Sequence, residues 1–275
     1  MTHLKLFALG LLAVFMAFAA IHTPNLLSAP DNQGAGEIRV TILYDNYVHN
    51  PDSKSDWGFA CLIEGTEKTI LFDTGTKSDI LWHNIRTLGV DAGKIEQIVI
   101  SHIHGDHTGG LLSVLEKKKD IPVYIPDSSP DSFIMGIQNT GNQPVKILEP
   151  IDICKDVFLT GEMGTSIKEI SLAIKRENGA VLITGCAHPG IVDIVKKAGA
   201  VTGKNVKFAF GGFHLMNHSD VQIQQNIQSF KAMGVEKCGA THCTGEKAIQ
   251  QFKEAYGKNF VPMGVGRVIV LSDEM

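Results

Sequence analysis

From residue 37 onward the chain alternates short apolar runs with turn residues. IRVTILY (38–44), WGFACLIE (57–64) and KTILF (68–72) read as strands, rich in β-branched and aromatic residues and bounded by polar breaks. Gly65-Thr66 between the last two signals a hairpin. Asp73-Thr74-Gly75 ends that stretch. In KSDILWHNIRTLG (77–89), Ile80, Leu81, Ile85 and Leu88 fall on one face of a helix that Gly89 closes. IEQIVIS (95–101) reads as a buried strand running straight into SHIHGDHTGG (101–110), and 110–118 as a helix.

The second half repeats this grammar. ISLAIKRENGAVLITG (170–185) reads as a hairpin turning at Asn178-Gly179, the pair a type I′ turn favours. A helix over 191–199 and the strand VKFAF (206–210) follow. Ser219-Asp-Val-Gln222 opens the next helix as a capping box, with Ile223, Ile227 and Phe230 on one face. KCGATHCTG (237–245) is a strand and loop, 246–256 a helix, and VGRVIVL (265–271) a last strand. The stretch 127–164, with SSPDS, TGNQP and TGEMG, is expected to be loop-rich, either a substrate-facing insertion or a long connection. Strands before helices, twice over, predict two sheets packed face to face with helices outside.

The N-terminus follows another pattern. Lys5 precedes an uncharged apolar run (6–20), the small-x-small triplet Ala17-Phe18-Ala19 lies at its end, and a polar Gly/Pro-containing stretch follows. These are the parts of a secretory signal peptide, and the run is short for spanning about 30 Å of hydrocarbon, although an uncleaved anchor has the same parts. The predicted organisation is a signal peptide or anchor plus linker over 1–36 and one domain over 37–275. The protein is then exported (periplasmic or extracellular) or held at a membrane by that segment alone. A formal charge of −4 over 275 residues disfavours a nucleic-acid partner. Five cysteines are far too few for a disulfide scaffold, so the fold should hold without them.

The chemistry concentrates in SHIHGDHTGG. Alternation along an extended chain sends His102 and His104 one way and Ile103 into the protein, and Gly105 lets Asp106 and His107 approach the same point from the other side. Three imidazoles suit Zn²⁺, Fe or Mn, and a carboxylate beside them suits a second ion a few ångströms away. A metal on three neutral imidazoles brings the pKa of its water to about 7, so a hydroxide nucleophile exists at ambient pH. One or two divalent metals, zinc foremost, are therefore the expected cofactors, and a small-molecule substrate the expected partner.

Asp73 in LFDTG, the run His102-x-His104-x-Asp106-His107, and later isolated histidine loops resemble the metallo-β-lactamase superfamily over everything from Glu37 onward. ITGCAHPGI (183–191), GGFHL (211–215) and ATHCTG (240–245) are similar to its dihydropterin ribofuranosylaminobenzene-phosphate synthase branch. The resemblance implies an α+β fold, a four-layer αβ/βα sandwich with metals at the mouth between two sheets.

Each later loop follows a strand directly. His188 is expected to complete one metal set with His102 and His104, and His242 a second set with Asp106 and His107. Cys186 falls near the position of a metal-bridging aspartate in many members, and reads equally as a ligand or as a small packing residue. His214 is expected to donate to a substrate oxyanion or phosphate, and Asp106 to steer the nucleophile. Asp73 is expected to orient a histidine ligand. Gly211-Gly212 and Gly264-Val-Gly266-Arg267 offer weak phosphate-binding signals. His3, His22, His49, His83 and His218 have no expected role. The expected activity is hydrolysis of an ester, lactone or phosphoester, with a synthase-like transferase and a non-catalytic binding protein as alternatives.

Overall fold

The computed structural model describes Met1 and residues 37–272. The predicted signal or anchor segment lies outside the described residues. The first sheet has the order β13-β1-β2-β3-β4-β5-β6, built from Val268–Leu271 (β13), Ile38–Tyr44 (β1), Ala60–Glu64 (β2), Ile70–Phe72 (β3), Gln97–Val99 (β4), Pro122–Pro126 (β5) and Gln143–Ile147 (β6). The second has the order β12-β11-β10-β9-β8-β7, from Lys237–Thr241 (β12), Val206–Gly212 (β11), Gly179–Thr184 (β10), Leu172–Arg176 (β9), Val157–Leu159 (β8) and Ile151–Cys154 (β7). β3 to β6 run parallel, as do β10, β11 and β12, and the other neighbours are antiparallel.

Three apolar clusters define four layers. Val40, Phe59, Phe72 and Val99 of the first half meet Leu172, Ile174, Ile183 and Phe210 of the second between the sheets. The opposite face of the first sheet (Leu62, Leu71, Ile98) buries Leu81 and Ile85 of α1 (Ser78–Thr87), Leu111 and Leu115 of α3 (Leu111–Leu115), and Ile137 of α4 (Asp131–Gln138). The opposite face of the second (Leu182, Ala209) buries Ile194 and Ala198 of α5 (Ile191–Thr202), Ile227 and Phe230 of α6 (Asp220–Ala232), and Phe252 of α7 (Glu246–Tyr256). The result is the αβ/βα sandwich. The Ser219/Gln222 capping box opens α6 as the sequence predicts, and Gly89 closes α1 with φ 65°.

Four local expectations need correction. The stretch 127–164 holds α4, β6, β7 and β8, whose short strands mix polar with apolar positions and so lack a clear period. The β9–β10 hairpin pairs Gly179 with Arg176, so its loop is Glu177-Asn178. Neither Asn178 nor Gly179 is among the positive-φ residues, which a type I′ turn at that pair would require. β4 ends at Val99, so 100–104 is an irregular stretch and not a strand. Ile103 is consequently 44% exposed, because the chain has left the sheet and the side away from the histidines is solvent.

Candidate metal centre

Most of the predicted site residues leave the C-terminal end of a strand. Asp73 follows β3, His102 and His104 follow β4, His188 follows β10, His214 follows β11 and His242 follows β12. Asp106 and His107 lie on the one-turn helix α2 (Gly105–Thr108), for which His104 is the N-cap residue. The strand ends from both sheets meet at one mouth. That mouth has a buried floor of His102, His107 and His242 and a half-buried rim of His104, Asp106, His188 and His214.

The hydrogen bonds around the floor assign the imidazole tautomers. His107 Nδ1 donates to Asp73 Oδ2 at 2.7 Å. His242 Nδ1 donates to Asn46 Oδ1 at 2.9 Å, an atom fixed as the oxygen because it also accepts Gly58 N–H at 3.1 Å. Ser101 Oγ donates to Asp73 Oδ2 (2.8 Å) and therefore accepts from His102 Nδ1 (2.9 Å). Three imidazoles thus donate outward and turn bare Nε2 lone pairs inward. His107 Nε2 and His242 Nε2 face each other at 3.2 Å, and His102 Nε2 faces His104 Nδ1 at 3.1 Å. His188 Nε2, buried and without a hydrogen-bond partner, belongs to a ring 4.9 Å from both the His102 and the His104 rings.

Converging lone pairs repel unless a cation or proton stands between them. Nitrogens held about 2.0–2.1 Å from one tetrahedral zinc ion lie roughly 3.3 Å apart, close to these separations. The donor set fits divalent metals. On one side His102 and His188 come within reach of one ion together with Cys186, and His104 Nδ1 lies beside them, 3.1 Å from His102 Nε2. Asp106, His107 and His242 lie on the other, with Asp106 Oδ2 3.3 Å from His242 Nε2 and 3.6 Å from His107 Nε2. Cys186 Sγ lies 3.3 Å from His107 Nε2 and within 4.8 Å of ligand atoms of both groups.

The charges agree with neutral ligands around a positive centre. Burial, then the neighbouring imidazoles, holds His102 far below the usual histidine range, and burial with His214 brings His188 down to about 4. Burial also pulls His107 down, but the Asp73 carboxylate outweighs it and raises the ring to about 9. Without a metal, one proton therefore resides there. Burial raises Asp106, yet its bond with His242 and the His107 charge hold the carboxyl well below the ordinary carboxylate range. His214 is raised by its hydrogen bond to Cys243, and its ring lies 4.2 Å from that of His188, tilted by 52°.

Glu169, Asn46 and Ser101 are the supporting residues that sequence reasoning missed. Glu169, 1% exposed, accepts the amide N–H of Cys186, Ala187 and His188 at 3.0, 2.9 and 2.9 Å, and so clamps that loop. No local pattern marks Asn46 or Glu169: Asn46 lies in the polar break after β1, and Glu169 in the stretch before β9. Gly264-Val-Gly266-Arg267 does not serve a phosphate. Val265, Gly266 and Arg267 N–H donate to Tyr47, Ile42 and Gly264 carbonyls, and Gly264 and Gly266 pack against 48–50. Gly211-Gly212 permits close approach of strand ends, since a Cβ at either would strike the carbonyl of Thr184 or Gly185.

The family profile described as the metallo-beta-lactamase superfamily matches residues 58–226. The chain belongs to the metallo-beta-lactamase superfamily. A 7,8-dihydropterin-6-methyl-4-(beta-D-ribofuranosyl)-aminobenzene-5'-phosphate synthase of Methanocaldococcus jannaschii is 30% identical over 282 residues, covering 84% of this chain and 96% of that protein. A crystal structure of a metal-dependent hydrolase of the beta-lactamase superfamily superposes with a TM-score of 0.72 at 27% identity, over 86% of this chain and 100% of that one. The metallo-beta-lactamase fold protein YhfI of Bacillus subtilis, 15% identical, superposes at 0.63 over 84% and 99% of the two chains. The sandwich is therefore that of this superfamily.

Proposed function

We propose that the protein is a metal-dependent hydrolase of an ester, lactone or phosphoester. The observation that carries this reading is the set of inward Nε2 lone pairs on His102, His107 and His242, each fixed by an outward hydrogen bond. Divalent ions in the two groups, zinc foremost, would polarise a substrate oxygen and activate water for attack. The chain supplies the rest. Asp73 and Asn46 keep the imidazole protons at Nδ1, so the inward nitrogens stay basic. Asp106, the ionised carboxylate at the rim, accepts a hydrogen bond from the attacking water and so aims its lone pair. His214, raised above its ordinary value, donates from the rim to the oxygen that gains charge.

The Methanocaldococcus relative supports a second reading, a synthase-like transferase acting on a phosphorylated sugar. A small-molecule substrate suits both, and the apolar run at 6–20 supports export or anchoring. Metal analysis of protein purified without added metal, followed by turnover on phosphodiester, lactone and β-lactam panels, tests the hydrolase. Formation of the relative's named product from pterin, arylamine and sugar phosphate precursors tests the synthase. Fully metallated protein that turns over nothing, yet is thermally stabilised by phosphorylated ligands, would leave a binding protein in their place.

A further inference from the structure

The centre contains a sulfur, that of Cys186, which the sequence alone leaves open between a ligand and a packing residue. Three sets of side chains could hold an ion among the described residues: Asp106/His107/Cys186/His242, His102/Cys186/His188 and Cys186/His214/Cys243. Cys186 is the one residue common to all three. In every set the ligand atoms lie within 4.8 Å of one another. Asp106 is the sole carboxylate among these sets, and it belongs to one only. No carboxylate is therefore placed to serve both imidazole groups.

The fold builds this position rather than leaving it to chance. β10 is buried along its whole length and delivers the chain to Gly185, where a Cβ would run into Ser101 Oγ. The chain thus tucks beneath the histidine loop before Cys186 emerges, 3% exposed. Ala187 takes φ 60°, a left-handed conformation unusual for alanine. The three consecutive amides closed on Glu169 hold that turn in place. A rigid, strained turn that sets one buried sulfur 3.3 Å from His107 Nε2 is more than a packing residue requires.

The neighbouring strand end leaves no room for a bridging carboxylate. At Gly212 a Cβ would meet Cys243 Sγ at 2.7 Å and Cys186 Cα at 3.2 Å, and would strike the Gly185 carbonyl. Cys243 Sγ itself donates to the Cys186 carbonyl at 3.5 Å. Sulfur thus occupies the volume that an acidic side chain would need. A thiolate accommodates two cations through its several lone pairs and, being soft, selects zinc, iron or cobalt over magnesium, calcium or manganese.

We propose that Cys186 Sγ is a ligand shared by the two cation positions, in the role a bridging carboxylate would otherwise fill. This inference rests on the reading that the two imidazole groups hold divalent ions, and the tests separate the two. X-ray absorption on the intact zinc-loaded protein counts sulfur scatterers per zinc. A shared sulfur gives one per zinc on average, whereas a sulfur serving one ion gives half and a packing cysteine gives none. Either lower count overturns the proposal.

Cobalt(II) reconstitution gives an independent reading. The wild-type protein should bind two ions and show a near-ultraviolet thiolate-to-cobalt charge-transfer band. That band should vanish in Cys186→Ser and persist in Cys243→Ser. Cys186→Asp should keep both ions without the band. Two cobalt ions bound with no band, or a band that survives Cys186→Ser, overturns the shared thiolate alone. A wild-type protein that binds no cobalt overturns the cation reading and the shared thiolate together.

Discussion

The two halves of the molecule hold their histidines by different means. In the first half the support is local to one sheet. Asp73 leaves β3, the His102–His107 stretch leaves the adjacent β4, and one buried carboxylate anchors His107 Nδ1, Ser101 N and Ser101 Oγ. In the second half the support is remote. Thr241 ends β12 and His242 follows it, yet Asp45 and Asn46, 196 residues away after β1, hold them from the other sheet. The Cys186–His188 loop is held through its backbone by Glu169, before β9. A side-chain anchor fixes the tautomers of its histidines, whereas a backbone clamp fixes the loop and leaves His188 Nε2 free. His102, His107 and His242 therefore arrive prepared at the level of ring nitrogens, and His188 at the level of chain path.

The sharpest way to break the first half is Asp73→Ala. Three donors buried with Asp73 lose their acceptor, and breaking such a network costs about 3–5 kcal/mol. Chemical denaturation should show that loss. Affinity for the ion at Asp106/His107/His242 should fall roughly 10–100-fold, as expected when the residue orienting a ligand is removed. A variant with wild-type stability and metal content would show that the first half does not depend on its carboxylate.

Asp45 probes the crossing between sheets through pH. Burial raises it from 3.8 to about 7, against the hydrogen bonds from Thr241 and the Tyr47 amide. The folded state thus binds this proton more tightly than the unfolded state. Its contribution is fully present below about pH 4, is lost as pH rises through 7, and is constant above that. The shift of about 3 units corresponds to roughly 4 kcal/mol. Asp45→Asn should flatten the stability profile between pH 4 and 8 by up to that amount relative to wild type. An unchanged profile would mean that Asp45 is ionised in the fold.

How far the molecule can be read from its sequence follows the same divide. Strands, helices and the sandwich are legible because their periodicities are local, and SHIHGDHTGG is legible because its donors are adjacent in the chain. Asp73 could be read as well, since it ends the strand beside them. Glu169 and Asn46 could not: a single glutamate or asparagine in a short polar break has no local pattern, and its meaning comes from a loop brought to it by the other sheet. The direction of Ile103 failed for a related reason. Alternation held, but which side was solvent depended on where β4 stopped.

Strain marks the same residues. Among the described residues, six non-glycine residues have positive φ, and four of them (Asp73, Ala187, His214 and His242) surround the centre. The other two, Asp120 and Asp156, lie in turns, where aspartate tolerates that conformation. The strained four follow strand ends from both sheets, and positive φ is what turns the side chain back over the mouth.

Glu169→Gln should show that the backbone clamp acts more on one group of ligands than on the other. Glutamine keeps one acceptor for three amides and turns its NH₂ against the others, a loss of about 1–3 kcal/mol. The ion on the His102/His188 side should weaken most, because the clamp holds His188 itself, while the group containing Asp106 and His242 feels the change only through Cys186 and should lose less. Titration with a metal-competing chelator reads the two separately, and equal weakening of both would refute the separation drawn here.

The smallest effect is expected at Asn46, and it decides whether the remote support of His242 concerns orientation or stability. Asn46 Oδ1 accepts from His242 Nδ1, and Nδ2 donates to the His242 carbonyl at a long 3.4 Å. Asn46→Ala removes both contacts next to Trp57, whose 44% exposed indole leans on the His242 ring at 5.0 Å and lets water reach the vacated nitrogen. Stability should therefore fall by only about 1 kcal/mol. Orientation has no such substitute, because water does not hold the Nδ1 proton outward with a fixed ring angle. Affinity at the Asp106/His107/His242 group should drop about 10-fold with the His102 group unchanged. Asn46→Asp keeps the acceptor and should recover most of that affinity. Equal losses in the alanine and aspartate variants would make Asn46 a spacer and leave His242 positioned by Thr241 and Asp45 alone.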